Sequence, residues 1–537
     1  MLTKRDVNGL GALRILLRSF ICRVIMMRLT SSAQMHEIDK YAIEALGIAG
    51  VSLMSNASGH VASAAMERLP PGGKVAVFCG TGNNGGDGIG AAACLKSKGI
   101  DVRAFLVGEA SKLTHDSKEM LKRLEVFGGS LEPLLESGEL LDCLNGCAVI
   151  IDAIFGIGLN DGLRDDALVA AELINSSRDA GAFVISVDIP SGIIADSGAI
   201  PSCAVKADLT ITFSLAKPGH FADPGSTHCG EIRILDIGIP YEVLDKAVSS
   251  VFAVLPDDVS LPRRSPGSHK GDYGRCFIVS GSIGYTGAPV LCARAATKMG
   301  AGLVYLGVPE QIYNIMATKL IEEMPFPLPG DRHGRLASNA AGEILRRAGE
   351  SDVCLIGPGL GQSGETAELV RSAISIIKTP IVLDADGINA LAGDVEHLHK
   401  AACPLVLTPH YGEFVRLVGN VPSGERLRSA RTFAAQYGCY LVLKGHRTVM
   451  AMPDGTAYIN TTGGPAMAKG GSGDVLAGMI AALIGQRFPI KEAVLASVYL
   501  HGLAGDLCAA EFGEYSVTAS DIISMLPKAI STVHSSL

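Results

Sequence analysis

The sequence has no excess of basic residues and no long apolar run, and each absence excludes a class of protein. Its 46 lysines and arginines are outnumbered by 54 aspartates and glutamates, which gives a net charge of -8. Nucleic acids and anionic membranes are bound through basic faces, so neither is an expected partner. No run of 18 or more uncharged apolar residues occurs, so no membrane-spanning helix is predicted.

Paired cysteine motifs are also missing. The 13 cysteines occur singly, without any Cys-x-x-Cys pair, and their odd number fits no complete disulfide framework. Reduced thiols packed as small apolar side chains explain this usage better. We therefore expect the protein to work in the cytoplasm.

Apolar residues and glycine are abundant instead. Hydrophobic residues make up 48% of the 537 residues, which excludes disorder as the dominant state and predicts two or more domains. Glycine contributes 64 residues, well above the usual share of about 7%. This excess indicates many tight turns or close approaches of the backbone to a ligand.

Residues 1–26 are expected to be an extension outside the fold. Arg18 and Arg23 interrupt the apolar stretch that a secretory signal requires. Two explanations stay open: an arginine-rich organellar presequence, or a start codon assigned too early. In the second case a chain that begins at Met26 or Met27 is expected to be as soluble and as active as the full chain.

Two parts of the chain alternate short β-branched runs with glycine turns and helical stretches. The runs of the first part are apolar nearly throughout, as in strands buried on both faces of a parallel sheet: Lys74–Cys79, Val102–Val107, Ala148–Asp152 and Phe183–Asp188. The same rhythm resumes after a proline-rich stretch at Leu255–Gly271. We predict an α/β protein with domains at 27–245 and 266–537, joined by a linker at 246–265.

The first predicted strand leads into the glycine-rich stretch GTGNNGGDG at residues 80–88. Residues 80–85 match the G-x-G-x-x-G pattern of dinucleotide-binding folds, and Glu109 stands where a ribose-binding acid is expected. Asp87 argues against that interpretation, because a carboxylate at a helix N-terminus repels a pyrophosphate. The loop oxygens suit a cation or sugar hydroxyls, and a tight turn capped by Asp87 is the structural alternative.

Two further predicted strands end in aspartates, Asp152 and Asp188. Ligands of open α/β sheets bind beyond the carboxyl ends of the strands, so both acids and the glycine loop are expected at one edge. Each aspartate alone could cap a helix. Three such segments at one edge favour a site.

The motifs GTGNNGGDG, VIIDAIFGIGL (149–159), SVDIPSG (186–192) and KPG (217–219) resemble the NAD(P)H-hydrate epimerase domain. The resemblance implies a Rossmann-like three-layer sandwich that binds the hydrated cofactor and a potassium ion, with a catalytic Asp188 at the reacting carbon. It assigns to potassium Asn84, Asp152 and Ser191. It assigns to the substrate Asn83, Asn84, Gly85, Gly86, Asp87, Gly156, Ile157, Gly158, Leu159, Asn160, Asp161, Gly162 and Asp188.

The second domain contains the loop GGSGD at residues 470–474, ahead of an apolar helix. Such a loop directs backbone N–H groups and the helix dipole at an anion, as phosphate chemistry needs. Asp474 stands in the first helical turn, where it can accept a proton from an attacking hydroxyl. An acid that merely follows a flexible loop is the alternative. The G-x-x-x-x-G-K-[ST] loop of P-loop NTPases is absent from the sequence.

Other predicted strands of this domain also end in polar loops. KGHRT (444–448) offers cationic side chains to nucleotide phosphates, while GPGLG (357–361) and DADGIN (384–389) follow two more strands. TPHYGEF (408–414) contains His410, for which a structural role and a functional role are equally open.

With HKGDYG (269–274) and GSIGYTGA (281–288), these motifs resemble the NAD(P)H-hydrate dehydratase domain of the ribokinase-like superfamily. The resemblance implies a ribokinase-like three-layer sandwich in which Asp474 is catalytic. It assigns to the substrate Ala288, Gly359, Gly361, His410 and Asp474. It assigns to the nucleotide Lys444, Gly445, His446, Arg447, Thr448 and Gly473.

Together the resemblances imply a repair enzyme for hydrated nicotinamide cofactors. The first domain would interconvert the epimers of NADHX and NADPHX. The second would phosphorylate the S form from ADP with Mg²⁺, and phosphate elimination would restore the reduced cofactor. The residues themselves do not distinguish ADP from ATP. These small molecules are the expected partners, and a homo-oligomer is expected.

Two other classes of function remain. A ribokinase-type small-molecule kinase with an N-terminal ligand-binding domain would accumulate a stable phosphorylated product, whereas a dehydratase releases phosphate. A non-enzymatic alternative makes the first domain a protein- or lipid-binding module. The polar set of Asn84, Asp152 and Asp188 argues against that alternative.

Overall fold

Two β-sheets, one for each predicted domain, form the centre of the computed structural model, which describes residues 26–134, 137–422 and 424–534. The predicted extension lies outside the described residues except for Met26. Helices cover both faces of each sheet, so the predicted α/β architecture with two three-layer units is confirmed.

Eighteen strands form the two sheets in the described part of the chain. They are β1 Met27–Leu29, β2 Lys74–Cys79, β3 Asp101–Leu106, β4 Leu131–Pro133, β5 Cys147–Ala153, β6 Phe183–Val187, β7 Leu209–Phe213, β8 Glu231–Leu235, β9 Val251–Val254, β10 Arg275–Val279, β11 Leu303–Pro309, β12 Met324–Leu328, β13 Val353–Ile356, β14 Ile381–Leu383, β15 Leu405–Leu407, β16 Tyr440–Leu443, β17 Val449–Ala451 and β18 Ala457–Asn460.

Seventeen α-helices connect and cover these strands in the same described ranges. They are α1 Ser32–Glu44, α2 Gly50–Arg68, α3 Asn83–Ser97, α4 His115–Val126, α5 Ser137–Leu144, α6 Asp165–Asp179, α7 Tyr241–Leu244, α8 Gly287–Lys298, α9 Tyr313–Lys319, α10 Ala341–Gly349, α11 Gly364–Ile376, α12 Asp386–Asn389, α13 Tyr411–Val418, α14 Arg426–Tyr437, α15 Ser472–Gly485, α16 Ile490–Phe512 and α17 Ala519–His534.

The first sheet is parallel throughout, in the order β4-β3-β2-β5-β6-β7-β8. Successive residues of a strand point to opposite faces. On β2, Val75 and Val77 therefore pack in the core built with α1 to α4, whereas Ala76 and Phe78 pack in the core built with α5 and α6. Burial on both faces explains why these runs lack polar alternation.

The second sheet has the order β1-β9-β18-β17-β16-β15-β14-β13-β10-β11-β12. It is parallel from β16 to β12, and β17 is antiparallel to both of its neighbours. Cys276 and Ile278 of β10 face the core that contains α8, α15, α16 and α17. Phe277 and Val279 face the opposite core, which contains α10, α11, α13 and α14.

The segment predicted as a linker contributes a strand to the second sheet. β9 lies within residues 246–265 and pairs in parallel with β18. β1, which the sequence placed with the first domain, pairs with β9 in antiparallel fashion. The prolines that follow VFAV suggested an irregular connection, but the four residues before them are a strand. The domain boundaries themselves stay a prediction.

One apolar core is shared by the two predicted domains. Ile189, Ile193 and Phe221 of the first domain lie in the same buried cluster as Val279 and Leu443 of the second. The loops that follow β6 and β7 therefore pack directly against the second sheet. This contact fixes how the loops of the first domain lie beside those of the second.

Among the described helices, α16 alone has the length and hydropathy that a membrane span requires, and 72% of its apolar window is buried within the protein. Burial of this kind is typical of a core helix.

Candidate active sites

The acids predicted in the first domain lie at the carboxyl edge of the first sheet. Asp152 is the penultimate residue of β5, and it pairs with Phe78 of β2 and Ser186 of β6. Asp188 directly follows β6 and has a positive φ of 66°. The glycine loop after β2 enters α3 at Asn83. Adjacent strand ends thus bring together the three segments that the sequence singled out.

Asp152 is fully buried and surrounded by hydrogen-bond donors. One carboxylate oxygen accepts from the Ser186 hydroxyl at 2.8 Å and from the Ser191 amide at 2.9 Å. The other accepts from the Ser191 hydroxyl at 2.6 Å. Burial raises the pKa of Asp152 despite these hydrogen bonds. The carboxylate has donors around it but no basic side chain within hydrogen-bond distance in the described chain.

Asp188 has a different environment, because a lysine is paired with it. Lys217 Nζ lies 2.5 Å from Asp188 Oδ1, and the Thr212 hydroxyl donates to the same oxygen at 3.1 Å. The other oxygen, Oδ2, accepts from the Ile157 amide at 3.2 Å. Burial alone raises the pKa of Asp188, but the Lys217 charge and hydrogen bond prevail and lower it. Asp188 is therefore ionised at neutral pH.

Lys217 and His220 lie beside Asp188, although sequence reasoning identified Lys217 only as part of the KPG motif. The Lys217 side chain is 2% exposed. His220 accepts from the Lys217 amide at Nδ1, so its Nε2–H donates to the Asp188 carbonyl at 2.8 Å. Burial and the neighbouring Lys217 charge lower the pKa of His220 to about 4, so the ring is neutral.

Two more acids lie near Asp188. Burial, with the charges of Asp188 and Asp39, raises the pKa of Asp87 well above its ordinary value. Asp39 lies on α1, which the sequence did not connect with any site, and its pKa is about 6 because burial outweighs the nearby Lys217 charge. The site thus combines an ionised Asp188 with two acids that hold protons more readily. Asp87 lies inside α3 and does not cap it, so the capped-turn alternative is not observed.

Asn84 and Gly156 form the wall beside Asp188. A Cβ on Gly156 would lie 2.8 Å from Asp188 Oδ2 and 3.1 Å from Asn84 Oδ1, so a larger residue would displace the Asp188 carboxylate. Both side-chain polar atoms of Asn84 are buried without a hydrogen-bond partner. Gly85 packs against the backbone oxygen of Gly80, where a Cβ would lie 1.8 Å away. An orphaned buried amide at this wall fits a ligand or cation contact.

The remaining predicted substrate residues lie around this wall. Gly86 is buried against Met54 and Ser117, while Asn83 is exposed at the start of α3. Ile157 turns its amide to Asp188, whereas Asp161 forms an ion pair with Arg164 of its own loop. The more exposed positions of the loop after β5 are Gly158, Asn160 and Asp161, and the less exposed ones are Gly156, Leu159 and Gly162.

The second site is a cavity of about 610 Å³ at the carboxyl edge of the second sheet. Of the predicted residues it is lined by His410, Lys444, Gly445, His446, Thr448, Gly473 and Asp474. Arg447 is not among the lining residues, because its guanidinium donates to the Thr461 carbonyl at 2.7 Å. Two acids and one histidine that were not predicted as site residues also line the cavity: Asp384, Glu413 and His501.

Asp474 lies in the first turn of α15, after Gly471 with a φ of 93°. Burial and the nearby Asp384 charge raise the pKa of Asp474 to about 7, although the Lys444 charge opposes them. A carboxyl with this pKa exchanges protons readily near neutral pH. Its position beside the glycine loop fits a general base for an attacking hydroxyl.

Lys444 pairs with Asp384 rather than with Asp474. Lys444 Nζ lies 2.7 Å from Asp384 Oδ1, which also accepts from the Thr408 hydroxyl at 2.7 Å. A Cβ on Gly473 would lie 3.0 Å from the ammonium group. Burial alone lowers the pKa of Lys444, but the Asp384 charge prevails and raises it. Lys444 is therefore a fixed positive charge under the glycine loop.

His410 has a structural role as a helix cap, and its functional role stays a prediction. Its Nδ1 accepts from the Gly412 and Glu413 amides at 3.0 and 3.3 Å, which caps α13. Half of its side chain is nevertheless exposed, and it lines the cavity. In contrast, His501 is buried, and burial lowers its pKa to about 4.

The remaining residues predicted to bind the dehydratase substrate are Ala288, Gly359 and Gly361, and they lie in a region that adjoins this cavity. Gly359 packs on Ala288, since a Cβ on Gly359 would lie 3.2 Å from the Ala288 methyl group. Gly361 lines a second cavity of about 540 Å³ together with Asp386 and Arg335. The Gly361 amide donates to Asp386 at 2.9 Å, which ties the GPGLG and DADGIN loops together.

Comparison with known proteins assigns a family to each part of the chain. Residues 50–219 match the model of the YjeF-related protein N-terminus, and residues 276–528 match the model of NAD(P)H-hydrate dehydratase. A crystal structure of the ADP/ATP-dependent NAD(P)H-hydrate dehydratase from Bacillus subtilis with ATP/Mg²⁺ is 33% identical and covers 51% of this chain and 94% of its own, with a TM-score of 0.43.

Curated relatives match both parts at once. The bifunctional NAD(P)H-hydrate repair enzyme Nnr of Thermofilum pendens is 39% identical over 94% of this chain and 96% of its own length. The enzyme of the same name from Moorella thermoacetica is 38% identical over 93% of this chain and 96% of its own. This chain therefore belongs to the family of bifunctional NAD(P)H-hydrate repair enzymes.

Proposed function

We propose that the chain repairs hydrated NADH and NADPH, with an epimerase site at the first sheet and a dehydratase site at the second. The observation that best supports this proposal is the position of Asp474. It lies in the first turn of α15, lines the cavity of the second site and has a pKa of about 7. Family membership over nearly the whole chain supports two activities in one protein. A ribokinase-type kinase is not favoured, because the curated relatives that match both parts of the chain are bifunctional repair enzymes.

In the dehydratase site, the ring hydroxyl of the hydrate attacks the terminal phosphoryl group of the nucleotide. Asp474 accepts the hydroxyl proton as the new oxygen–phosphorus bond forms and the bond to the leaving nucleotide breaks. Phosphate then leaves with the electrons of its bond to the ring carbon. Loss of a proton from the adjacent carbon restores the double bond of the reduced cofactor.

The chain holds the phosphates with backbone donors and one fixed cation. The loop at 470–473 and the N-terminus of α15 direct N–H groups to the anion, and Lys444 adds its charge beneath Gly473. Magnesium, when bound, neutralises the charge of the transferred group. We propose ADP as the donor, with AMP and phosphate as products.

In the epimerase site, we propose that acids with different pKa values face the reacting carbon. Asp188 is ionised through Lys217, whereas Asp39 holds its proton up to a pH of about 6. Environments that push two pKa values apart are typical of acid–base pairs. We propose Asp188 as the base and Asp39 or Asp87 as the acid.

The residues around Asp152 fit a monovalent cation. Asp152 is a buried carboxylate without a basic partner among the described residues, and the Asn84 oxygen is buried and unpaired. Oxygen atoms are the ligands that hard cations prefer. We propose that Asn84, Asp152 and Ser191 hold potassium, which would balance the buried charge.

The test is incubation of the full chain with chemically hydrated NADH and ADP, then with ATP, while both epimers are followed. We expect both epimers to disappear, the absorbance of the reduced nicotinamide to recover and phosphate to be released. Accumulation of a stable phosphorylated hydrate would refute the dehydratase assignment. Consumption of the S form alone would refute the epimerase assignment.

The oligomeric state and compartment are further proposals. We propose a homo-oligomer in the cytoplasm, acting on small molecules. Twelve cysteines in the described chain are all free, which agrees with a reducing compartment. Sedimentation of the full chain at several concentrations tests the oligomer.

A further inference from the structure

An aspartate of the first domain contacts the loop of the second domain that is proposed to bind the nucleotide. Asp223 follows the 3-10 turn Pro218–His220, and its Oδ1 lies 2.8 Å from His446 Nδ1. Because an ionised carboxylate only accepts, the His446 Nδ1–H donates to it. The Asp223 side chain is 16% exposed, whereas the His446 side chain is 43% exposed.

The same carboxylate reaches a second support of that loop. Asp223 Oδ2 lies 3.5 Å from Arg426 Nη1, and Arg426 Nη2 donates to the Lys444 carbonyl at 3.3 Å. A Cβ on Gly445 would lie 2.4 Å from the Arg426 guanidinium, which shows how closely the loop packs on it. Asp223 therefore holds the loop directly through His446 and indirectly through Arg426.

The segment that carries Asp223 is rigid and also serves the first site. Lys217, six residues earlier, pairs with Asp188. Between them, Phe221 is fully buried in the core shared by the two domains, and the Gly219 amide donates to the Ala195 carbonyl at 2.6 Å. A buried, hydrogen-bonded segment of this kind holds a side chain in place without further ordering.

We propose that Asp223 is a positioning residue for the dehydratase reaction, through which the first domain holds the nucleotide-binding loop of the second. This inference rests on the proposed function, in which residues 444–448 contact the nucleotide. A loop held in its binding geometry loses less conformational entropy when the ligand binds. The first domain thus contributes to nucleotide affinity without touching the nucleotide.

The test uses Asp223→Asn in the full chain, with Asp166→Asn as a control. Asp166 is an exposed aspartate of the same domain in the first turn of α6. We expect the KM for ADP to rise about tenfold in Asp223→Asn, the size of one hydrogen bond to a charged group, while kcat changes little. Asp223→Glu keeps the negative charge, so it is expected to retain part of the affinity for ADP that Asp223→Asn loses.

A double-mutant cycle separates positioning from general damage. His446→Gln should raise the KM for ADP, and Asp223→Asn should raise it less in that background than in wild type, because the part of its effect that acts through His446 is already lost. Additive effects of the two substitutions on the KM for ADP would overturn the proposal. An unchanged KM for ADP in an Asp223→Asn variant that is as thermally stable as wild type would also overturn it.

A measurement on the wild-type chain covers the case in which Asp223→Asn does not fold. Without nucleotide, amide hydrogen exchange should already be slow at 218–228 and at 444–448, because both segments are held before the ligand binds. Fast exchange at 444–448 that slows only when ADP and Mg²⁺ are added overturns the positioning role. A wild-type chain that neither binds nor consumes a nucleotide refutes the proposed function instead.

Discussion

Both sites contain a largely buried lysine. It pairs with the proposed catalytic aspartate in the first site and with a different aspartate in the second. In the first, Lys217 pairs with Asp188, the proposed catalytic base, and lowers its pKa. In the second, Lys444 pairs with Asp384, so burial prevails at Asp474 and raises its pKa to about 7. The same two residue types thus give a permanently ionised acid in one domain and a titrating acid in the other. The partner of the lysine decides the difference.

Loss of the proposed base in the second site is expected to have the largest effect. Asp474→Asn keeps the shape of the side chain but cannot accept a proton. Dehydration should slow by about 10²–10⁴-fold, with little change in nucleotide affinity. Epimerisation by the same variant is the control and should be unaltered. Near-normal repair would move the search for the base to His410 or Asp386.

Removal of the lysine in the first site should disrupt that site and the fold around it. Lys217→Met leaves Asp188 buried and unpaired, and loss of one partner of a buried pair costs about 3–5 kcal/mol of unfolding free energy. Because the pair lowers the Asp188 pKa, its stabilisation exists at neutral pH and is lost as acid protonates Asp188.

Urea unfolding at pH 7 and at acid pH measures this loss. The stability gap between Lys217→Met and wild type should shrink at acid pH, and epimerisation should be strongly impaired at pH 7. Lys118→Met, an exposed lysine of α4, should match wild type in both assays. A gap that is equal at both pH values would contradict the ion-pair account.

The two activities should depend on pH with opposite slopes. Dehydration needs ionised Asp474, so its kcat/KM should fall about tenfold per pH unit below pH 7. If Asp39 is the acid of the first site, epimerisation should fall as pH rises above about 6. Rate profiles of each activity from pH 5 to 9 test this. In Asp474→Asn, the fall of dehydration at acid pH should disappear. Profiles in which the two activities change with pH in the same direction would contradict the assignments.

A methyl group beside Asp188 should have the smallest effect of these changes. In Gly156→Ala the new Cβ meets Asp188 Oδ2 at 2.8 Å, and misplacement of a catalytic group by about 1 Å can slow a reaction up to 10²-fold. We expect epimerisation to slow by about tenfold. Gly59→Ala, on α2 of the same predicted domain and facing open space, is the control. Equal effects of both substitutions would contradict the account based on the contact with Asp188.

Sequence reasoning found the acids that follow strands and missed those that arrive from elsewhere. Asp152 and Asp188 were predicted because the carboxyl edge of a parallel sheet collects strand ends, and Asp474 because it stands in the first helical turn after a glycine loop. Asp39 was missed because α1 precedes the first predicted strand and carries no motif. His501 was missed for a similar reason, since it lies in the middle of the apolar helix α16. Nothing in the local sequence shows that such residues lie beside a candidate site.

The contact between the domains was equally hidden. Asp223 and His446 are 223 residues apart, and neither residue type nor spacing connects them. The strand β9 was missed because four residues ahead of a proline-rich stretch form too short an apolar pattern to identify a strand. Its pairing with β18 depends on an element formed 200 residues later.

The sequence by itself determined the α/β architecture, the two glycine loops and the positions of the acids that end the strands. Each of these follows from local patterns, namely apolar runs, glycine spacing and the geometry of parallel sheets. Only the tertiary structure decided which acids are ionised. A pKa depends on burial and on the charges that distant segments bring near, as Lys217 does for Asp188 and Asp384 for Lys444.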